Sequence, residues 1–195
     1  IPFQHASPSV LKAMRRPAKQ EKTLDRIRKW RDICPDLTSR SNFIVGFPGE
    51  TEEDFDLLLD WIAEAEIDRA GVFKFEPVTG APANALEGVV PEEVKDERFA
   101  TLMEVAQNVS TGQLAKKVGR TIEVLVDYVH PAECRSRARS KWDAPDIDGQ
   151  VIVDHAEGIK PGDKVTVVVV GSDEYDLFAV PIGATADLDR ATASA

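Results

Sequence analysis

A run of fourteen residues, Asn42 to Phe55, constrains the fold of this chain more than any other segment. Its first part, Phe43 to Phe47, is apolar without polar alternation, which is typical of a parallel strand covered on both faces. After a turn with two glycines and a proline, Thr51 and Asp54 have the spacing of a helix capping box. Apolar residues then follow at i, i+3, i+4 and i+7, at Phe55, Leu58, Leu59 and Ile62. This pattern predicts one βα step of a parallel barrel or sheet, with ligands at the C-terminal end of the strand.

The rest of the pattern divides the chain into three parts. Residues 1–111 alternate between strand and helix patterns, so we expect an α/β domain with parallel strands. Residues 112–183 carry five short strand patterns separated by turn signals, which predicts a small antiparallel, OB-like barrel. Residues 184–195 are small and polar, and we expect them to form a disordered tail.

Composition narrows the classes of protein that fit. The 195 residues include no apolar run of eighteen, so we expect no membrane span. The net charge of −10 disfavours a general nucleic-acid binder. The two cysteines, Cys34 and Cys134, favour a reducing compartment and cannot alone form a metal site. Because the chain opens on Ile1 in what reads as a strand, we expect an N-terminal part of the protein to be absent.

Several polar residues end predicted strands, where a parallel barrel gathers its ligand contacts. Gln4 and His5 follow the first strand, although such a pair is also common as a hydrogen-bonded strand end. Gly46 either lets the backbone approach a ligand or simply lets the chain turn. Glu76 ends the third strand, where it could bind an amine or hydroxyl, be solvated, or pair with Lys74.

Two groups of basic residues are candidate anion sites. Arg15–Arg16 ends the first helix and either holds an anion or complements the helix dipole. A second group alternates along one predicted strand and therefore shares one face: Arg135, Arg137, Arg139 and Lys141. Three acidic residues lie close to it in sequence, at Asp143, Asp146 and Asp148. An RNA contact and a solvated face are both consistent with this pattern.

The motifs themselves resemble one family. Residues 1–7 (IPFQHAS), 10–16 (VLKAMRR) and 43–55 strongly resemble segments of the radical S-adenosylmethionine methylthiotransferases. The five-strand part, led by residues 114–120, looks like the TRAM domain that closes these enzymes. Residues 143–149 and 173–177 resemble the RimO type, the branch that modifies a ribosomal protein, more than the tRNA-modifying MiaB type. The resemblance extends over nearly all of residues 1–182.

This resemblance implies the C-terminal part of a radical SAM βα (TIM-like) barrel followed by a TRAM domain. It implies S-adenosylmethionine and two [4Fe–4S] clusters as cofactors of a cytoplasmic enzyme that methylthiolates the β-carbon of an aspartate on a small-subunit ribosomal protein. A three-cysteine cluster motif and the cluster-bearing N-terminal domain are missing from the sequence. We therefore expect this chain to be inactive alone.

The resemblance also implies sites. Strand ends would line one side of the S-adenosylmethionine pocket, at Gln4, Ser41, Asn42, Gly46 and Glu76. The TRAM module would contact the substrate, with Arg135, Arg137, Arg139, Asp146 and Asp148 as candidates. An acidic module favours a basic ribosomal protein, while the arginines allow contact with ribosomal RNA. The alternatives are tRNA methylthiolation and a non-catalytic substrate- or RNA-binding module.

Overall fold

The computed structural model describes residues 1–16 and 21–184. They form two compact units, and the division falls between Val109 and Ser110. Of the expected disordered tail, residues 185–195 lie outside the described part of the chain.

The first unit is built around parallel strands. Strand β1 (Arg40–Val45) pairs in register with β2 (Arg69–Lys74), Arg40 opposite Arg69 and Val45 opposite Lys74. An isolated parallel bridge joins Gln4 to Phe43, so three extended segments run in the same direction. The predicted α/β class is therefore confirmed, and the three C-terminal strand ends come together at one edge.

Helices connect and cover these strands. They are α1 (Pro8–Ala13), α2 (Glu21–Ile33), α3 (Glu52–Ala65) and α4 (Glu92–Ala115), and a short 3₁₀ turn spans Pro82–Ala85. The predicted capping box is present in α3, because Thr51 Oγ1 accepts from the Asp54 N–H and the Asp54 carboxylate accepts from the Thr51 N–H.

Apolar faces of α3 and β1 form the core of the first unit. Phe43 and Val45 are fully buried, as are Leu58 and Ile62 on α3. Trp61 packs edge-on against Phe43, with 6.0 Å between ring centroids. This core holds α3 against the sheet and thereby fixes the position of the turn between β1 and α3.

The second unit is a closed barrel of five strands. They are β3 (Thr121–His130), β4 (Arg135–Arg139), β5 (Val151–Asp154), β6 (Lys164–Ser172) and β7 (Leu177–Pro181), in the order β3-β4-β5-β7-β6. The predicted five-stranded OB-like barrel is confirmed, with one correction to the expected antiparallel pairing. Strand β5 runs parallel to β7, whereas the other four pairings are antiparallel. The physical reason is that β5 and β7 are not consecutive along the chain: β6 comes between them in sequence, so no hairpin joins them and they need not be antiparallel.

Within the described ranges, no helix combines the length and the apolar character that a membrane crossing requires.

Candidate functional site

An open cavity of about 670 Å³ lies in the first unit, at the C-terminal ends of the parallel strands. Three of the five residues predicted for the cofactor pocket line it: Gln4, Asn42 and Glu76. Its size falls within the range of about 300–1,000 Å³ that small-molecule sites occupy. The cavity thus brings together polar groups that are far apart in the sequence, although Asn42 lies within β1 rather than at the strand end where it was expected.

Gln4 holds a strained backbone conformation in the wall of this cavity. Its φ of 72° lies in the left-handed region, which residues other than glycine seldom adopt. Two hydrogen bonds to β1 stabilise it, because Gln4 N–H donates to Asn42 O (2.9 Å) and Gln4 O accepts from Ile44 N–H (2.8 Å). Strain of this kind persists where the surrounding structure fixes it, and such places are often functional sites.

The remaining walls offer complementary chemistry. Phe47 and Phe75 meet edge-on with 5.1 Å between ring centroids and form an aromatic surface. Arg15 and Arg16 supply positive charge, and Glu76 supplies an exposed carboxylate. The cavity can therefore accept a ligand with a planar apolar ring, an anionic group and a cationic group.

Glu76 is not the partner of Lys74. Lys74 Nζ instead lies 2.6 Å from Glu92 Oε1 and 2.6 Å from Asp96 Oδ1, both on α4. Hydrogen bonds to Asp96, the larger effect, and to Glu92 raise the pKa of Lys74. The pairing considered from the sequence between Lys74 and Glu76 is thus replaced by one between β2 and α4.

The other two predicted pocket residues lie outside the lining of this cavity. Ser41 is 2% exposed, and its Oγ accepts a hydrogen bond from Phe3 N–H at 2.9 Å. It precedes Asn42 on β1, and successive side chains of a strand point to opposite faces. Gly46 is buried and its N–H donates to the Glu50 carboxylate at 2.9 and 3.1 Å.

A buried ionic network lies behind the Gly46 turn. Glu50 and His5 have fully buried side chains, with His5 Nε2 3.4 Å from Glu50 Oε2. Arg98 from α4 reaches the same carboxylate, with its Nη1 2.7 Å from Glu50 Oε1. His5 Nδ1 accepts from Ser7 N–H (2.9 Å), so the neutral imidazole carries its hydrogen on Nε2, toward Glu50. Sequence reasoning missed this network because its partners are up to 93 positions apart (5 to 98) and no local pattern joins them.

This network keeps Glu50 ionised despite its burial. Burial raises the pKa of Glu50, but the nearby Nε2–H of His5, the hydrogen bond from the Gly46 N–H and the positive charge of Arg98 together outweigh it. The pKa of the carboxyl therefore lies below its ordinary value. A buried carboxylate that accepts several hydrogen bonds and faces a guanidinium is the arrangement in which charge survives burial.

The Asp54 carboxylate forms hydrogen bonds to the N-cap residues of two helices. Asp54 Oδ2 accepts from Thr51, the cap of α3, while Oδ1 accepts from Ser7, the cap of α1, and from Ser9 at 2.7 Å. Asp54 was predicted only as part of its own capping box. The link to Ser7 fixes the segment after Gln4 to the segment after Gly46.

The predicted substrate residues lie on the barrel. Arg135, Arg137 and Arg139 share the outer face of β4, while Ser136 and Ala138 between them are buried. Two of these arginines already have acidic neighbours: Arg135 Nε lies 2.7 Å from Asp154 Oδ1, and Arg139 Nε lies 3.5 Å from Asp127 Oδ1. Asp146 is exposed at a positive φ of 59° in the loop before β5, and Asp148 accepts from Ala144 N–H at 2.8 Å.

A cluster of cations around Trp142 was not predicted. The side-chain charges of Lys117, Arg120 and Lys141 lie 4.7, 5.1 and 5.4 Å from the centre of the indole ring. Trp142 is 7% exposed and lines a barrel cavity of about 590 Å³ with Arg120 and Lys141. Only the neighbouring Lys141 and Trp142 could have indicated this cluster, because Lys117 and Arg120 approach from another part of the chain.

The residues of this chain do not fit an iron–sulfur cluster. Its two cysteines, Cys34 and Cys134, are both exposed and belong to different units. Across residues 1–16 and 21–184, no group of three or more His, Cys, Asp or Glu side chains could hold a metal ion.

Comparison with known proteins gives two family matches. The model of the radical SAM superfamily matches residues 1–62, and the model of the TRAM domain matches residues 118–182. The first contains Gln4, Asn42 and the Gly46 turn, and the second covers all five barrel strands.

Individual relatives are more specific. The ribosomal protein uS12 methylthiotransferase RimO of Bordetella pertussis (strain Tohama I) is 58% identical over 178 residues, which is 91% of this chain and 40% of the relative. The protein of the same name from Marinobacter nauticus is 59% identical over 179 residues, 92% of this chain and 39% of the relative. That from Bradyrhizobium sp. (strain ORS 278) is 56% identical over 183 residues, 94% and 41% respectively. The chain thus spans about 40% of the length of these relatives.

Proposed function

Since this chain belongs to the RimO family of radical SAM methylthiotransferases, we propose that it forms part of an enzyme that methylthiolates a small-subunit ribosomal protein. The relatives are named for action on ribosomal protein uS12, and we propose the same substrate here. The finer proposal is that the modified atom is the β-carbon of one aspartate.

The main structural support for this proposal is the cavity at the strand ends. It lies at the C-terminal edge of the parallel strands, where barrel enzymes bind their ligands. The groups around it suit S-adenosylmethionine: Phe47 and Phe75 for the adenine ring, and Glu76 for the amine or the sulfonium charge. Arg15 and Arg16 suit the carboxylate of the methionine moiety.

In this proposal the residues of this chain bind and orient S-adenosylmethionine, and the cofactor supplies the difficult chemistry. When bound, S-adenosylmethionine would supply the radical chemistry that an unactivated C–H bond requires. Gln4 and Asn42 would orient it through side-chain hydrogen bonds, and the aromatic wall would exclude water from the ring. We propose that two [4Fe–4S] clusters serve the enzyme and are held by residues outside this chain.

The barrel is proposed to bind the substrate through charge. Residues 112–183 hold 9 basic and 12 acidic residues, a net charge of −3. This sign favours a ribosomal protein rich in Lys and Arg over tRNA. The outward arginines of β4 (Arg135, Arg137 and Arg139) would contact the substrate or neighbouring ribosomal RNA, and Asp146 and Asp148 in the loop before β5 would add acidic contacts to the substrate. We place this reaction in the cytoplasm, where ribosomes and thiol-reducing conditions coincide.

The proposal is tested with the full-length protein that contains this chain, its clusters reconstituted without oxygen, supplied with a reductant, S-adenosylmethionine and uS12. We expect mass spectrometry to find one methylthio group in place of one hydrogen on an aspartate of uS12. Modification of tRNA with uS12 unchanged would contradict the proposal and favour the tRNA-modifying branch. No product from protein with intact clusters would favour a binding-only role.

A matched pair of variants tests the cavity. Glu76→Gln removes a carboxylate from the cavity wall, whereas Glu93→Gln removes an exposed carboxylate from α4 outside it. We expect Glu76→Gln alone to weaken S-adenosylmethionine binding, measured by calorimetry, by about tenfold, the effect of losing one charged hydrogen bond. Equal affinities for the two variants would remove Glu76 from the site.

A further inference from the structure

We propose that Arg98 of α4 is a positioning residue for the cavity: through Glu50 it holds the turn that places Phe47 in the cavity wall. Arg98 does not line the cavity, and it lies outside residues 1–62, which match the radical SAM model. The inference rests on the proposed function, because it assigns the cavity to S-adenosylmethionine.

The contacts of Arg98 connect α4 to the turn after β1. Its Nη1 donates to the Glu50 carboxylate (2.7 Å) and to the Glu50 carbonyl oxygen (3.3 Å), and its Nη2 donates to the Glu52 carboxylate at 2.9 Å. The guanidinium also lies 5.4 Å from the centre of the Phe55 ring. Arg98 is 5% exposed, so these interactions are shielded from water. It therefore fixes both the side chain and the backbone of Glu50.

Glu50 in turn fixes the backbone of the turn. Its carboxylate accepts from the N–H groups of Gly46 (2.9 and 3.1 Å) and Phe47 (3.3 Å), the two residues directly after β1. These amides hold the left-handed Gly46 (φ 72°) in place and direct Phe47 against Phe75 at the cavity. Loss of Arg98 would leave a buried carboxylate without its main counter-ion, so Glu50 would move toward water and release both amides.

The same carboxylate also reaches the other side of the cavity. His5 Nε2 lies 3.4 Å from Glu50 Oε2, and His5 follows Gln4, the left-handed residue in the cavity wall. The chain of contacts from Arg98 through Glu50 to His5 therefore joins the two loops that supply Phe47 and Gln4. A change at α4 is expected to alter both walls together.

The experiment compares Arg98→Met with Arg31→Met in the full-length protein. Arg31 is a matched control, because it also joins separate elements: it donates to the carbonyl oxygens of Ala65 (2.7 Å) and Glu66 (2.5 Å) and does not line the cavity. Binding of S-adenosylmethionine is measured by calorimetry, and hydrogen exchange is measured on peptides that contain Gly46 and Phe47. Arg98→Met is expected to weaken binding by about tenfold to a hundredfold, as loss of an orienting partner typically does, and to speed exchange of the two amides. Arg31→Met should leave both unchanged.

If Arg98→Met unfolds, Arg98→Lys keeps the inference testable: it retains a positive charge beside Glu50 but cannot donate to Glu50 and Glu52 together, and it should weaken binding and speed exchange of the two amides. Where the single variants fold, a double-mutant cycle gives a second test: Glu50→Gln with Arg98→Met removes both charges, and this pair should bind more tightly than the product of the two single losses predicts. Normal affinity in folded Arg98→Met, with the Gly46 and Phe47 amides exchanging faster, would overturn the inference and leave the proposed function intact. Independent effects of Glu50→Gln and Arg98→Met would overturn it as well. Wild-type protein that does not bind S-adenosylmethionine would overturn the proposed function and, with it, the inference.

Discussion

Substitution of Gly46 by alanine tests how tightly the turn after β1 is packed. Gly46 has a φ of 72°, and a Cβ added to it would lie 2.3 Å from Lys95 Cγ and 3.0 Å from Lys95 Cδ. Lys95 is 7% exposed and its Nζ is held by Glu92 at 3.1 Å, so its stem cannot swing freely into water. We therefore expect both backbone strain and a steric collision in Gly46→Ala.

The two contributions can be separated in magnitude. The left-handed conformation costs a residue with a Cβ about 1–2 kcal/mol. Overpacking of a closed site costs about 1–3 kcal/mol more. Gly46→Ala should therefore lower the free energy of unfolding of the first unit by about 2–5 kcal/mol.

Gly80→Ala is the matched control, since Gly80 has a φ of 82° but nothing within 4 Å of the added Cβ. It should lose only the backbone contribution of about 1–2 kcal/mol. Lys95→Ala added to Gly46→Ala should recover the steric contribution, because it removes the atoms that collide.

Hydrogen exchange on peptides from β1 and α3 measures these free energies for the first unit separately from the barrel. Equal losses in Gly46→Ala and Gly80→Ala, or no recovery with Lys95→Ala, would refute the close packing of α4 on this turn.

Two further predictions concern pH and the barrel. Burial raises the pKa of Asp54, but hydrogen bonds from Ser7 and its neighbours outweigh it, so the pKa lies below its ordinary value of 3.8. The stability this carboxylate contributes is thus present above that value and lost as the pH falls below it through the folded pKa. Asp54→Asn should therefore flatten the loss of stability in acid denaturation below pH 3.8; an unchanged slope would contradict this. Gly149→Ala would place a Cβ 1.7 Å from the backbone oxygen of Tyr175, so it should destabilise the barrel in thermal melts by about 3 kcal/mol or more, the upper end of what overpacking costs. The control Gly112→Ala, in a helix with open space, should be neutral or stabilise by up to about 1 kcal/mol, and a similar effect of the two would show that the loop does not press on Tyr175.

Local patterns predicted local structure well. The apolar run at Phe43 to Phe47 indicated a strand and the Thr51–Asp54 spacing indicated a capped helix, and both are present. The expected cover on both faces of the strand is wrong, because Phe43 and Val45 are buried whereas Ile44, on the other face, is half-buried and lines the open cavity. These features depend on neighbouring residues, whose backbone geometry and hydrogen bonds the sequence specifies directly. The alternation of Arg135, Arg137 and Arg139 likewise predicted a shared outer face.

Interactions between distant residues could not be predicted in this way. Nothing in the sequence near Glu50 indicates that Arg98 is its counter-ion, since the pairing depends on where α4 packs. The parallel pairing of β5 with β7 likewise depends on closure of the barrel rather than on any turn. By contrast, the position of Ser41 outside the cavity could have been predicted, because successive side chains of a strand alternate and Ser41 therefore faces away from Asn42.

We propose above all that S-adenosylmethionine binds at the C-terminal ends of the parallel strands of the first unit. A crystal structure of the full-length protein with S-adenosylmethionine tests it most directly. The ligand should lie against Phe47 and Phe75, with polar contacts from Gln4, Asn42 and Glu76. Electron density for the ligand elsewhere, with these side chains facing only solvent, would contradict the claim.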